Sequence, residues 1–292
     1  GVRRLVSLGI PGLIAGGITQ INLLVSTMIA SLQDSAPSWL YYADRIYQLP
    51  LGVIGIAIGV VLLPELSRRL RADDNEGVQS SQNRALEISM LLTIPSAVAL
   101  MAMPHPVIHV LFERGAFDAD DARATSVALA AFAAGLPAFV MIKVFSPAFF
   151  AREDTRTPMW FALISVVINI AGALALFPFI AYVGVALATT AAGWVNALLL
   201  GYTLSKRGDF ALDDRMRKAL PRIIAASLVM GFALLGVMQF VSQVFNADNL
   251  FILRLATLAA MVGFGAAVYF AVAWWTGALD VAALKQSFSR KS

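Results

Sequence analysis

Apolar residues run through this chain in long blocks, and short polar stretches separate them. A membrane-crossing helix needs about 20 mostly apolar residues. Eight blocks meet that length, at roughly 5–31, 39–66, 84–103, 122–149, 158–178, 183–204, 220–244 and 250–276. The connections carry loop chemistry, as in Gln33-Asp34-Ser35-Ala36-Pro37, the charged stretch 71–77 and Arg152-Glu153-Asp154-Thr155. The pattern predicts an all-α, polytopic membrane protein with about eight transmembrane helices. Pro50 lies inside the overlong second block and predicts a kink, because proline has no N–H and clashes with the preceding turn.

Composition agrees with that class. Of 292 residues, 59% are hydrophobic and 14% are charged, against about 25% charged in soluble domains. Mean hydropathy is +0.76. The formal charge of +4 does not mark a nucleic-acid partner, because Lys and Arg lie in loops between apolar blocks rather than on one soluble face. Their distribution gives sidedness. Seventeen basic residues flank the blocks on one side and three, Arg114, Arg123 and Arg254, on the other, while Arg45 and Lys143 fall inside blocks. These sides alternate as eight spans require, and the positive-inside rule puts both termini of the chain in the cytoplasm. There is no cysteine, so disulfides and thiolate metal sites are excluded. The first residue is Gly1 rather than Met. This predicts a piece of a longer chain, with a processed N-terminus as the alternative.

The informative residues are polar ones inside apolar blocks. A charged side chain at the bilayer centre costs about 2.5–3.5 kcal/mol on insertion scales, and such residues usually face a protein interior or a water-filled cavity. Asp44 and Arg45 are of this kind. Tyr41, Arg45, Gln48 and Gly52 share one face by helical spacing. Two readings stand for Arg45: an anion-binding group in a central cavity, where its planar fork suits phosphate, or a side chain snorkelling to the outer headgroups. Lys143, nine residues before Arg152, is either a functional charge of the same kind or a side chain snorkelling toward the cytoplasmic boundary. In the first block Gln20 and Asn22 either line a cavity or bond between helices, and the four-residue glycine spacings, including Gly55 with Gly59, predict close helix packing. His105 and His109 are one turn apart, but no further ligand pattern accompanies them; an interfacial role is expected and no metal is assigned. The Asp pairs 73–74, 120–121 and 213–214 read as solvated loop charge. No P-loop, dinucleotide fingerprint or nucleophile elbow occurs, so an enzyme is not expected.

Two long motifs carry a family resemblance. The run Trp39-Leu40-Tyr41-Tyr42-Ala43-Asp44-Arg45-Ile46-Tyr47-Gln48-Leu49-Pro50-Leu51-Gly52, continuing to Gly59, resembles the signature of the MurJ/MviN lipid II flippases. So does Lys143-Val144-Phe145-Ser146-Pro147-Ala148-Phe149-Phe150-Ala151-Arg152-Glu153-Asp154-Thr155-Arg156-Thr157-Pro158. This family lies within the multidrug/oligosaccharidyl-lipid/polysaccharide exporter superfamily, whose flippase members have two six-helix lobes followed by two extra helices. The resemblance implies that 1–205 is the second six-helix lobe and that 206–292 holds the two additional helices and a cytoplasmic tail. An N-terminal six-helix lobe of the same protein would be the missing partner. It implies flipping of lipid II, the polyprenyl-pyrophosphate peptidoglycan precursor, across the bacterial inner membrane by alternating access. Substrate-binding residues would be Arg45, Asp44, Gln48, Tyr41 and Lys143. No cofactor is implied; coupling to the membrane potential, sodium or protons is. Gln48 stands where some members carry Glu. Sodium-binding members use polar residues of equivalent spans, which makes Asn22, Asn169 and Thr189 or Thr190 the candidates by type, although no acidic residue lies in the fifth block. The alternatives are an exporter of another polyprenyl-linked glycan or a drug, and a membrane enzyme of polyprenyl-phosphate metabolism.

Overall fold

The computed structural model describes residues 2–245 and 250–278, and the described residues are almost entirely helical. Nine α-helices follow one another: α1 (Val2–Ala30), α2 (Ala36–Arg71), α3 (Asn75–Ala102), α4 (Pro104–Phe112), α5 (Ala119–Ala133), α6 (Leu136–Ala151), α7 (Arg156–Lys206), α8 (Asp214–Val241) and α9 (Phe251–Trp275). In lipid every backbone N–H and C=O must find a partner inside the protein, which a helix provides within one segment. Five of these helices are long and apolar enough to cross a membrane, and α5 with α6 makes a sixth as one bent span. The chain is a multi-pass membrane protein.

Helix α7, at 51 residues, is about 76 Å long if straight, more than twice a hydrocarbon core. It breaks at Ile180–Ala181, where Ala181 takes φ 49° and ψ −134°. Across this break Gly172 meets Ala188, and Gly184 meets Leu176. Both pairs are centred on residue 180, so the two arms lie back to back, antiparallel. The amide of Tyr182, just past the break, donates to the Gln33 side chain at 3.3 Å. The α5–α6 junction is a gentler bend of about 40°. Its carbonyls of Ala131 and Ala134 accept from Thr190 Oγ1 at 2.8 Å and Trp194 Nε1 at 3.0 Å, both on the second arm of α7. Gly135 admits this approach, since a Cβ there would fall 2.9 Å from the Thr190 hydroxyl.

Several turns at the basic end share one design. After α2, α6, α7 and α9 a residue in the left-handed region follows the cap: Asp73, Glu153, Gly208 and Gly277. In each, the next amide reaches back five residues, as Asp154 N does to Phe149 O at 2.9 Å. This is the Schellman closure, which satisfies carbonyls left over at a helix end. The α6–α7 and α7–α8 turns then exchange charges: Arg152 pairs with Asp209 at 3.1 Å, and Arg207 with Asp154 at 2.8 Å. Asp74, Asp118 and Asp213 accept backbone N–H groups at the starts of α3, α5 and α8. Asp121 accepts the indole N–H of Trp39 at 2.6 Å. These carboxylates are caps and ties, and the expectation of purely solvated loop charge does not describe them.

The helices surround a core that continues from α2–α5 into α8 and α9. Ala43, Ile46 and Leu129 share one apolar cluster with Ile223, Met230, Met261 and Tyr269. Helix α8 packs along α3, and α9 packs on α8. Gln79 and Asn83 on α3 hold the 207–213 connection through its carbonyls of Gly208 and Ala211, at 3.0 and 2.8 Å. At the other end His109 is buried, not interfacial as expected. Its Nδ1 faces Glu113 at 2.5 Å and its Nε2 faces Arg254 of α9 at 3.0 Å. Helix α1 packs along α7 and scarcely touches α2. That separation leaves a cleft.

Candidate functional site

The cleft between α1 and α2 is a cavity of about 670 Å³. A second cavity, about 420 Å³, lies deeper between α2, α5 and α6. Asp44, Gln48, Phe132 and Thr189 line both, so the two adjoin. Of the helical face Tyr41–Arg45–Gln48–Gly52, the first three residues line the larger cavity and the last two the smaller. Tyr41 and Arg45 reach the larger cavity, Lys143 the smaller, and Asp44 and Gln48 the wall they share.

Local geometry holds Arg45 in place. Helix α2 starts at Ala36, so Arg45 lies about 14 Å along it. The guanidinium sits 4.7 Å above the Tyr41 ring, one turn toward the helix start. Such a cation–aromatic contact is worth about 0.5–1 kcal/mol at exposed sites. Asp44 Oδ2 is 4.0 Å from Arg45 Nη2, and Gln48 donates to the same carboxylate. The Arg45 side chain is 52% exposed, to the cavity. Lys143 enters from α6, and its amine makes no hydrogen bond or ion pair with the described residues.

Asn22, Asn169 and Thr189 come together from α1 and the two arms of α7. The Asn169 amide nitrogen donates to Asn22 Oδ1 at 2.8 Å and to Ser26 Oγ at 3.1 Å. Thr189 Oγ1 lies 3.1 Å from Asn169 Oδ1 and 3.0 Å from Val185 O, and its single proton can go to either. Thr190 is elsewhere, on Ala131. The group is a hydrogen-bonded set of neutral side chains on the wall of the larger cavity, with the Asn169 amide donor standing between the oxygens of Asn22 and Ser26. Sequence reasoning missed Phe132 and Thr189 as shared cavity wall, and the Trp39–Asp121 tie above it. Trp39 opens the first long motif, which was the available signal. Close packing of helices does not account for Gly16, Gly17 or Gly59, whose Cβ positions have nothing within 4 Å among the described residues.

The family model for the lipid II flippase MurJ matches residues 1–256. The chain belongs to the MurJ family. A probable lipid II flippase MurJ of Rhizobium meliloti (strain 1021) is 46% identical over 289 residues, covering 99% of this chain and 54% of that protein. One from Rhizobium tropici is 41% identical over 290 residues, with the same coverage of 99% and 54%. The chain thus spans about half the length of the MurJ relatives it matches. A solved lipid II flippase MurJ in an inward closed conformation superposes with a TM-score of 0.72 at 28% identity, over 90% of this chain and 52% of that one. The MurJ fold also resembles a MATE transporter in its bent conformation, with a TM-score of 0.60 at 18% identity over 82% of this chain and 55% of that one. That second likeness concerns the fold alone.

Proposed function

We propose that this chain forms the second-lobe part of a transporter that flips lipid II, the undecaprenyl-pyrophosphate-linked peptidoglycan precursor, from the inner to the outer leaflet of the bacterial cytoplasmic membrane, in support of cell-wall synthesis. The observation that carries this is the pair of cations, Arg45 from α2 and Lys143 from α6, reaching adjoining cavities within one lobe of a flippase-family fold. The Arg45 fork can make two parallel hydrogen bonds to a phosphate, and Lys143 adds a compact positive charge. Asp44 and Tyr41 hold the fork so that less freedom is lost on binding. The work is binding and release, with no bond made or broken.

The preceding six-helix lobe of the same protein would supply the far wall of the α1–α2 cleft. Rocking of one lobe against the other about the shared cavity would carry the head group across while the polyprenyl tail stays among membrane lipids. Both ends of the chain would be cytoplasmic. An inside-negative potential assists outward movement of an anion by about 2.3 kcal/mol per charge per 100 mV. The neutral Asn22–Asn169–Thr189 group favours this source over a cation gradient acting through that group.

In the full-length protein, Arg45→Ala is expected to abolish flipping with insertion and amount unchanged, since removing a charge from within a span eases insertion. Arg45→Lys is expected to keep part of the activity, because it keeps the charge and loses the fork. A flipping assay on reconstituted protein, beside a measurement of its amount in membranes, reads both. Full transport by a well-expressed Arg45→Ala protein would remove the central claim.

A further inference from the structure

We infer that Gly55 is a positioning residue that sets where the cavity's second cation, Lys143, stands; this rests on the reading that the cavity takes a pyrophosphate. Gly55 lies in the interior of α2, where glycine is a poor helix former and needs a packing reason. A Cβ added there would fall 2.5 Å from Lys143 Cδ and 2.9 Å from Cε. The lysine stem of α6 therefore lies directly against the α2 backbone, in a trough that exists because position 55 has no side chain. From that trough the amine, 3.6 Å from the same point, enters the smaller cavity beside Asp44 and Gln48.

The neighbouring glycines of α2 sharpen the point. Gly52 and Gly59 have nothing within 4 Å of their Cβ positions among the described residues. Gly55 instead meets a charged side chain, and its contact is with the flexible stem rather than with backbone. Alanine at 55 would push the stem aside and leave the helices where they are. The fold would persist and the ammonium would move. A pyrophosphate offers two phosphoryl groups, so the spacing between the Arg45 fork and the Lys143 ammonium decides whether both can be held at once. Gly55 acts on the ligand only through that spacing.

The test is a double-mutant cycle on the full-length transporter. The readout is the apparent affinity for a short-chain polyprenyl-pyrophosphate disaccharide. Lys143→Met and Gly55→Ala are each expected to weaken binding, by roughly tenfold for side chains in direct contact. Gly55→Ala added to Lys143→Met is expected to weaken it no further, and Gly59→Ala to leave it unchanged. Additive losses, full affinity with Ala at 55, or a silent Lys143→Met beside an Arg45→Ala loss would overturn the role of Gly55 and leave the cavity reading standing. Unchanged affinity in both Arg45→Ala and Lys143→Met would overturn the cavity reading itself. Should the Gly55→Ala protein fail to accumulate, Gly55→Ala with Lys143→Ala is expected to restore it by removing the stem, and failure to restore would again count against the inference.

Discussion

Asp154 illustrates what a single side chain does in this protein. It follows the left-handed Glu153, accepts the Thr157 amide at 3.0 Å and hydroxyl at 2.7 Å, and pairs with Arg207. Burial pushes its carboxyl up, but the bonds from Arg207 and Thr157 outweigh burial and hold it below the ordinary aspartate value. A depressed carboxylate contributes stability above its unfolded pKa and loses it as pH falls through the folded one. Asp154→Asn is therefore expected to lower the unfolding midpoint at neutral pH, by up to about 1 kcal/mol for a partly exposed pair. The gap should close in acid, below the usual aspartate range, and a gap that persists there would rule out the ionic origin. The loop was legible in the sequence as charged, but its partner was not. Arg207 is 53 residues away, and no local period reports a pairing between two turns. Arg45 and Asp44 were legible for the opposite reason: they stand out against apolar neighbours on their own helix. His109 was not, because what buries it is Arg254 on a helix 145 residues later.

Helices follow from apolar length, but their limits follow from polar residues, and here the two diverge. The third apolar block begins near residue 84, whereas α3 begins at Asn75. Asp74 caps it, and polar residues extend it past the membrane boundary, where hydropathy carries no signal but helix propensity does. Helix α4, set off by Pro104, is apolar, but its nine residues are too few to read as a span. Prolines leave a more specific trace. Pro95 interrupts α3, and its missing N–H frees the carbonyl of Leu91. Tyr269 on α9 fills the gap, its hydroxyl donating to Leu91 O at 2.7 Å. Both groups are inside the protein, where an orphaned carbonyl has no water to turn to. Tyr269→Phe is expected to destabilise the α3–α9 contact by roughly 0.6–1 kcal/mol. In a Pro95→Ala background the restored amide can serve Leu91 itself, so the cost of Tyr269→Phe should shrink. Equal costs in the two backgrounds, measured by unfolding in detergent, would mean that the hydroxyl is not acting on this carbonyl.

At the scale of the whole molecule, the expected sidedness depends on counting charges and not on contacts. The contacts sort the turns into two ends. The 207–213 connection meets the α2–α3 region through Gln79 and Asn83 and the α6–α7 turn through Asp154. Gln33 meets Tyr182, Trp39 meets Asp121, and His109 meets Arg254 at the opposite end. The basic residues predict the same grouping, with Asp73 and Asp213 at the rich end and Asp34 at the poor one; Asp248, which the same count puts at the poor end, lies outside the described residues. What the sequence could not supply was the separation of α1 from α2, since a cleft is a property of how helices lean rather than of either helix. The orientation can be tested without removing any native thiol, because the chain has no cysteine. Glu76 and Asp34 are exposed and belong to opposite ends. Glu76 is preferred to Asp73, whose left-handed backbone would strain a replacement. In intact cells expressing the full-length protein, an impermeant thiol reagent added outside is expected to label Asp34→Cys and to spare Glu76→Cys until the membrane is opened. The positive-inside asymmetry sets this direction. Labelling of Glu76→Cys from outside, with Asp34→Cys protected, would invert the topology.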